Sequence, residues 1–414
     1  MGSPLLRFDE ALACVLRAAG ACERALPKIE RVPLAEASAR VLAAPICADQ
    51  DQPPFARSTR DGFAGRASEA NGHDWLPIAG ATHAGQHPGG PLPVGAAWEI
   101  MTGAPVPAEA DAVAMVEHVE RTGDAVRLLQ GRRLETGENI VPQGAQARAG
   151  DVLLKPGVRL GPAQLALAAT CGCIEMEVFA RPRVAILTTG DELVPIDATP
   201  GPGQIRNSNA PMLAALVAQA GGAPWLLPAA ADTPEALDAA LEQAFSADLL
   251  LISGGVSAGK FDLVEPALAR RGAQFHFTGV QMQPGKPLVF GELPCGGPAS
   301  LPFFGLPGNP VSSAVTFLLF GASMLAAIAG APSAEPRFAL AHLEGDVKGK
   351  PGLTRFLPAL WRPNAAGAAT PSVAQVPWQG SGDQAAFARS NCLLVVPEEA
   401  AGLQSGALVR ILMM

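Results

Sequence analysis

The sequence predicts a multidomain protein of α/β and β class, in which a doubly wound α/β domain is joined to a β-rich module and a C-terminal β-barrel. Three observations carry this. A chain of 414 residues exceeds one ordinary core. From Arg183 the chain alternates apolar strand, Gly-containing turn and long Ala/Leu helix, the rhythm of a parallel sheet covered on both faces. Before and after that stretch the texture is one of short alternating segments between Gly and Pro turns.

The elements follow in order. Asp9 and Glu10 precede the apolar run Ala11 to Leu16, which suits an amphipathic helix better than a secretory signal. Residues Leu5 to about Ala44 read as helix, turn and short segment, punctuated by Pro27, Pro33 and Pro45. From Ile46 to about Leu134, stretches such as Trp98-Glu99-Ile100-Met101 and Ala112 to Val116 predict the β-rich module. Gly161 to Thr170 is a small-residue helix. Val184 to Leu187 is a strand, and Met212 to Ala220 is a helix with Asn209 as its cap and Pro211 near its first turn. Leu249 to Ile252 and Phe303 to Leu306 are further strands. Val311 to Pro332 carries no charge and is about long enough to span a bilayer, but its Ala, Gly, Ser and Thr content predicts a buried core helix. From Pro336 short strands return, ending in Cys392 to Val396 and Leu408 to Leu412. The expected division is residues 1–45 and 147–180 as a helical linker region, 46–146 as the β-rich module, 181–332 as the α/β domain and 333–414 as the barrel.

Composition excludes some functions. The net charge of −8 offers no global basic field for nucleic acid, so an anionic ligand must find local donors. The 45 Gly and 39 Pro are spread along the chain, which indicates tight turns. Seven Cys, with Cys171-Gly172-Cys173 among them, match neither a zinc pattern nor a small disulfide framework, so free thiols in a reducing cytoplasm are expected, with no membrane association. His73, His83 and His87 lack metal-ligand spacing.

Chemistry gathers at the strand ends, where open α/β sheets bind ligands. Thr188-Thr189-Gly190-Asp191-Glu192 supplies hydroxyls, a flexible turn and two acids. Ser253-Gly254-Gly255-Val256-Ser257 supplies backbone N–H groups that can approach a phosphate, and Asp262 follows. Acids beside an oxyanion cradle repel its ligand unless a cation intervenes, so Mg²⁺ is inferred, with Glu192 and Asp262 as candidate ligands. Asp191 or Glu192 would also serve as a helix cap, and Asp232, before Thr233-Pro234, fits an N-cap and a site acid equally. Lys286 in Pro284-Gly285-Lys286-Pro287 is either a held ammonium or a solvated loop residue. Pro307-Gly308-Asn309-Pro310 with Ser312 and Ser313 makes a helix start that also suits an anion.

Together these residues resemble the molybdopterin molybdenumtransferases, the MoeA proteins and their relatives, including the E domain of gephyrin. The resemblance runs from about Asp49 to the C-terminus. It rests on Ser58-Thr59-Arg60-Asp61-Gly62-Phe63-Ala64, Met101-Thr102-Gly103-Ala104-Pro105-Val106-Pro107, Thr189-Gly190-Asp191-Glu192-Leu193, Gly254-Gly255-Val256-Ser257 with Asp262, Pro284 to Pro287, and Pro307 to Pro310. It implies an elongated homodimer with an inter-subunit crevice. It further implies an enzyme that takes adenylylated molybdopterin and molybdate, coordinates the metal to the dithiolene and releases AMP with Mg²⁺ present. The molybdopterin adenylyltransferase is a further implied partner. Carried over, Glu192, Asp232 and Asp262 match functional acids, Asp61 and Thr102 match a partner-side motif, and Ser257, Lys286, Arg355 and Ser381 match molybdate-associated positions. Thr189, Gly190, Asp191, Ser253, Gly254, Gly255, Pro307, Gly308, Asn309, Pro310 and Ser312 are implied to bind substrate.

The chain departs from the family pattern at Val141 and Gln146, where a charge pair is usual, at Gln283, where Lys is frequent, and at Arg60, where an apolar residue is usual. Two rival readings are an adenylyltransferase, which needs only the compact α/β domain, and a gephyrin-like scaffold, which would bind a partner without turnover.

Overall fold

The computed structural model describes residues 5–20, 28–255, 263–295, 300–331, 335–363 and 370–414. Its central sheet has six strands in the order Ala223–Leu226, Arg183–Thr188, Leu249–Ser253, Ser300–Leu306, Val289–Pro294, Gln274–Phe277. The first four are parallel. Val289–Pro294 runs antiparallel to both its neighbours, so Gln274–Phe277 again points with the first four. The sequence rhythm predicted a wholly parallel sheet; the difference arises because the segment between Pro294 and Ser300 is too short for a crossover and can only make a hairpin-like return.

Each central strand buries both faces, so its apolar side chains divide by alternation. Val184, Ile186, Leu249 and Leu251 join one core with the helices Asn209–Gln219 and Pro310–Ile328. Ala185, Leu187, Leu250 and Ile252 join the other with the helices Pro234–Ala244 and Val264–Arg270. The uncharged helix has 72% of its most apolar window buried and packs as a core element. A π turn at Phe317–Gly321 interrupts it. The N-terminal helix Phe8–Gly20 packs in the first of these cores, its Phe8 ring lying 5.8 Å from Phe320 and 5.1 Å from Phe356.

The β-rich module is a second six-stranded sheet around Gly62–Gly65. Gly62 is required there, because a Cβ would stand 1.9 Å from the Ala114 carbonyl oxygen of the neighbouring strand. The linker segments join through Ile29–Pro33 paired with Glu175–Phe179. At the C-terminus, Thr354–Arg362, Ser372–Gln375, Phe338–Glu344, Leu408–Met413 and Cys392–Val396 pair in that order, and the last returns to the first, closing a five-stranded barrel. A short strand from the α/β domain, Met282–Gln283, adds in parallel to the barrel, with Met282 opposite Thr354 and Gln283 opposite Arg355.

Candidate functional site

The strand Arg183–Thr188 lies second in its sheet, so the chain first winds outward to Ala223–Leu226 and then crosses to Leu249–Ser253. Strand order therefore reverses between the ends of the first and third strands, the place where α/β folds open a crevice. Thr188 lies opposite Ser253, and the loops beyond them diverge at the mouth of a cavity of about 1080 Å³. That volume is slightly above the usual range for small-molecule sites, roughly 300–1000 Å³.

The first loop is built around its acids. The Thr189 hydroxyl donates to Asp232, and the Asp232 backbone N–H donates to Asp191 Oδ1 at 3.0 Å. Glu192 folds back over Gly190, where a Cβ would stand 2.6 Å from Glu192 Oε2. Asp232 is not the helix cap; Thr233 takes that place, its hydroxyl oxygen accepting from Ala236 N at 3.2 Å. Asp232 is thereby left to hold the Thr189 hydroxyl at the cavity. Neither Asp191 nor Glu192 caps a helix.

The second loop depends on its glycines. Gly254 has φ +102°, and a Cβ there would meet the Thr189 carbonyl oxygen at 2.4 Å; at Gly255 a Cβ would meet Val264 Cγ2 at 2.7 Å. Neither position admits a side chain; the buried Gly254 N–H is spent on the Leu306 carbonyl at 3.2 Å, and the partly exposed Gly255 is where the backbone can approach a ligand. Ser257 and Asp262 lie outside the described residues.

Asn209 does something other than cap its helix. The N-cap position is Ser208, and Asn207 accepts from Ala210 N at 3.2 Å in the capping role. The Asn209 amide instead donates to Ser253 Oγ at 2.9 Å and to the Gly308 carbonyl at 2.7 Å. Ser253 contacts Ser313 Oγ at 3.0 Å, and Ser313 donates to the Pro307 carbonyl. Because that carbonyl can only accept, the chain of donors runs one way, from Asn209 through Ser253 and Ser313 to Pro307. It ties three strand-end loops together. Asn309 donates to Ser381 Oγ at 2.9 Å, and Val311 N donates to the Ser381 carbonyl at 3.1 Å, so the loop that starts the buried helix is fixed to the C-terminal domain.

Lys286, Pro307, Gly308, Asn309, Pro310, Ser312 and Ser381 line the cavity with Thr189, Gly190, Glu192, Asp232, Ser253, Gly254 and Gly255. The Lys286 side chain is exposed and has no ion-pair partner among the described residues. Gly285, at φ +107°, leaves room for Thr316, whose methyl group would be 2.5 Å from a Cβ. Asp191 does not line the cavity but braces Asp232. Arg355 does not line it either. Its Nη1 donates to the Lys348 carbonyl at 2.7 Å, its Nε is buried without a partner, and burial pushes its pKa down. Gln283 beside it does line the cavity, with Oε1 buried and unpaired.

Asp61 and Thr102 meet each other elsewhere, in the β-rich module. Thr102 donates to Asp61 Oδ1 from its backbone N–H at 2.6 Å and its hydroxyl at 2.7 Å, and these bonds hold the Asp61 carboxyl below its ordinary range. Neither residue lines the cavity of its own chain. Val141 pairs with Arg57 in a short ladder and Gln146 N donates to the Gln52 carbonyl at 2.8 Å, both away from the cavity.

Among the described residues no group of three or more His, Cys, Asp or Glu side chains gathers to hold a metal. No described His or Cys lines the cavity, its Glu192 and Asp232 carboxylates are hard oxygen donors, and Mg²⁺ commonly takes one or two carboxylates together with ligand phosphates and water. Sequence reasoning read Asn209 as a cap and Ser313 as a hydroxyl suited to an anion, where both tie loops together, and it missed Trp378 and Gln384, which enter the cavity wall from the C-terminal domain.

Family models match most of the chain: the MoeA N-terminal region (domain I and II) over residues 6–172, a probable molybdopterin binding domain over 185–327, and the MoeA C-terminal region (domain IV) over 341–414. A molybdopterin molybdenumtransferase of a Nostoc species is 37% identical over 316 residues, covering 75% of this chain and 72% of the relative. One from Bacillus subtilis is 34% identical over 394 residues, covering 93% and 89%. The crystal structure of a molybdopterin biosynthesis MoeA protein from Pyrococcus horikoshii matches with a TM-score of 0.82 at 29% identity, covering 99% of this chain and 100% of that one.

Proposed function

The chain belongs to the MoeA family of molybdopterin molybdenumtransferases, enzymes of molybdenum cofactor biosynthesis, and from that premise we propose that its cavity takes adenylylated molybdopterin with molybdate and releases AMP in a Mg²⁺-dependent step. The observation that carries this reading is the pairing of acids and oxyanion donors at one strand-end crevice: Glu192 and Asp232 beside the Lys286 ammonium and the side-chain-free backbone of Gly255. Such donors suit an oxyanion, and the nearby carboxylates would repel it without a cation.

Glu192, with Asp262 beyond the described residues, would hold the Mg²⁺, which when bound offsets phosphate charge and polarises the phosphoryl oxygens. Asp232 fixes the Thr189 hydroxyl, and the Asn209–Ser253–Ser313 chain keeps the strand-end loops in register around the phosphate. The Lys286 ammonium, without an ion-pair partner among the described residues, is available to an oxyanion such as molybdate. Arg355 faces Lys348 instead, so its contribution to molybdate binding would require the side chain to turn. The Asp61–Thr102 pair lies off its own chain's cavity, which supports a homodimer in which a partner subunit brings that pair to the crevice.

Molybdate-dependent AMP release from adenylylated molybdopterin tests the reading. Chelation of Mg²⁺ should stop turnover and leave the folded state intact. Lys286→Ala should raise the half-saturating molybdate concentration about ten- to a hundred-fold, the loss of one charge-assisted hydrogen bond. Turnover undiminished by chelator would refute the metal requirement, and an unchanged molybdate response would place the oxyanion elsewhere.

A further inference from the structure

The cavity walls divide by chemistry. The α/β domain contributes glycine backbone, acids and Lys286, whereas the C-terminal domain contributes Trp378, the only aromatic side chain among the described lining residues. Trp378 is half-buried and packs against both the core of the α/β domain and that of the barrel. Its mounting is rigid. Val376 N donates to the Pro358 carbonyl at 2.9 Å, and Asp383 accepts from Gln379 N at 2.9 Å and from Ala386 N at 3.0 Å, fixing the backbone on either side of the indole. The indole N–H makes no hydrogen bond among the described residues. The cores account for the covered part of the indole; the remainder is an aromatic surface left open in an otherwise polar cavity wall. A flat π surface is what a planar heterocycle needs, and such stacking tolerates any ring of that class.

We propose that Trp378 is a positioning residue that stacks on the planar heterocycle of the substrate, adenine or pterin, while the α/β loops hold its phosphate. This rests on the functional reading above. The indole, held in place before the ligand arrives, would order the ring at little entropic cost.

Trp378→Ala, Trp378→Leu and Trp378→Phe test it, with Leu keeping apolar volume and Phe keeping a ring. Each variant and the wild type are titrated with AMP and, separately, with free pterin, following intrinsic fluorescence and heat of binding. None of the other four Trp residues lines the cavity, so stacking should quench the wild type and leave Trp378→Phe nearly unquenched. For whichever ring stacks, affinity should fall roughly five- to a hundred-fold in the Ala and Leu variants and recover largely in the Phe variant. Loss with AMP assigns adenine; loss with pterin assigns the pterin. Equal affinities in the wild type and the Leu variant for both ligands overturn the platform, and if the wild type still releases AMP the functional reading survives it. No AMP release by the wild type overturns both.

Discussion

Asn209 separates two accounts of the same residue. As a helix cap, it should be replaceable by Asp within a few tenths of a kcal/mol, since the two are equivalent there. As a tie between loops, its amide nitrogen is essential, donating at 2.9 Å to Ser253 and at 2.7 Å to Gly308. Asn209→Ala loses both bonds, at about 0.5–1.5 kcal/mol each, or about 1–3 kcal/mol together. Asn209→Asp gains about 0.3–1 kcal/mol from a negative charge at the helix start. It loses more. Ser253 can turn its hydroxyl to the new carboxylate only by abandoning Ser313, and the Gly308 carbonyl cannot donate at all, so two acceptors are left facing each other. The Asp variant should therefore be at least as unstable as the Ala variant, and the added charge should weaken AMP binding further. Urea unfolding of the three proteins, with AMP titration at fixed salt, measures both effects. An Asp variant within about 0.5 kcal/mol of wild type would refute the tie and restore the cap.

Other expectations concern single contacts. Gly254→Ala places a side chain at φ +102° against the Thr189 carbonyl, costing about 1–2 kcal/mol for the backbone conformation alone; its melting temperature and AMP affinity should both fall, and unchanged AMP affinity would show that this loop does not hold the phosphate. The Asp61 carboxyl is held below its ordinary range mainly by the Thr102 backbone N–H and then by the Thr102 hydroxyl. Its folded-state pKa is depressed, so its contribution to stability is present above the unfolded value of about 3.9 and lost as pH falls through the lower folded value. Thr102→Val should raise the Asp61 pKa toward ordinary in an NMR titration, and no movement would mean the hydroxyl is idle. Gln283→Lys would set an ammonium beside Arg355, whose guanidinium burial already disfavours; two unit charges ~8 Å apart at an effective dielectric of about 20 repel by roughly 2 kcal/mol. Thermal melts should show destabilisation that molybdate relieves, and a variant indifferent to molybdate would remove Gln283 from the oxyanion end.

What could be read in the sequence was local. The runs Val184 to Leu187 and Leu249 to Ile252 are apolar because both faces of their strands are buried, and the Gly-containing loops that follow are recognisable because few other residues fit such turns. The hairpin at the sheet edge was not legible, since its strands share the apolar texture of parallel ones and differ only in the length of a connection. Contacts between distant segments left no local trace either: Asn309 meets Ser381 across 72 residues, and Gln384 meets Ser208 across 176. Trp378 went unread for the same reason, because only the docking of the barrel makes it part of the cavity. The run Val311 to Pro332 was legible, for its small and hydroxyl residues marked a core helix although its length would span a bilayer, and 72% of its most apolar window is buried.

The strand Met282–Gln283 is hydrogen-bonded into the barrel, and Val289–Pro294 into the α/β sheet. Lys286 sits on the short span between them, with Pro284 and Pro287 removing slack. Its ammonium is consequently a gauge of the distance between two bodies. A substitution that loosens the barrel, however remote from the cavity, would be transmitted to the oxyanion end of the site before it reached the phosphate end, because the Gly254 loop is anchored within one sheet and the Lys286 loop is shared by two. Molybdate affinity and nucleotide affinity should therefore drift apart under damage to the C-terminal domain, and their ratio would report on the mechanical integrity of the joint.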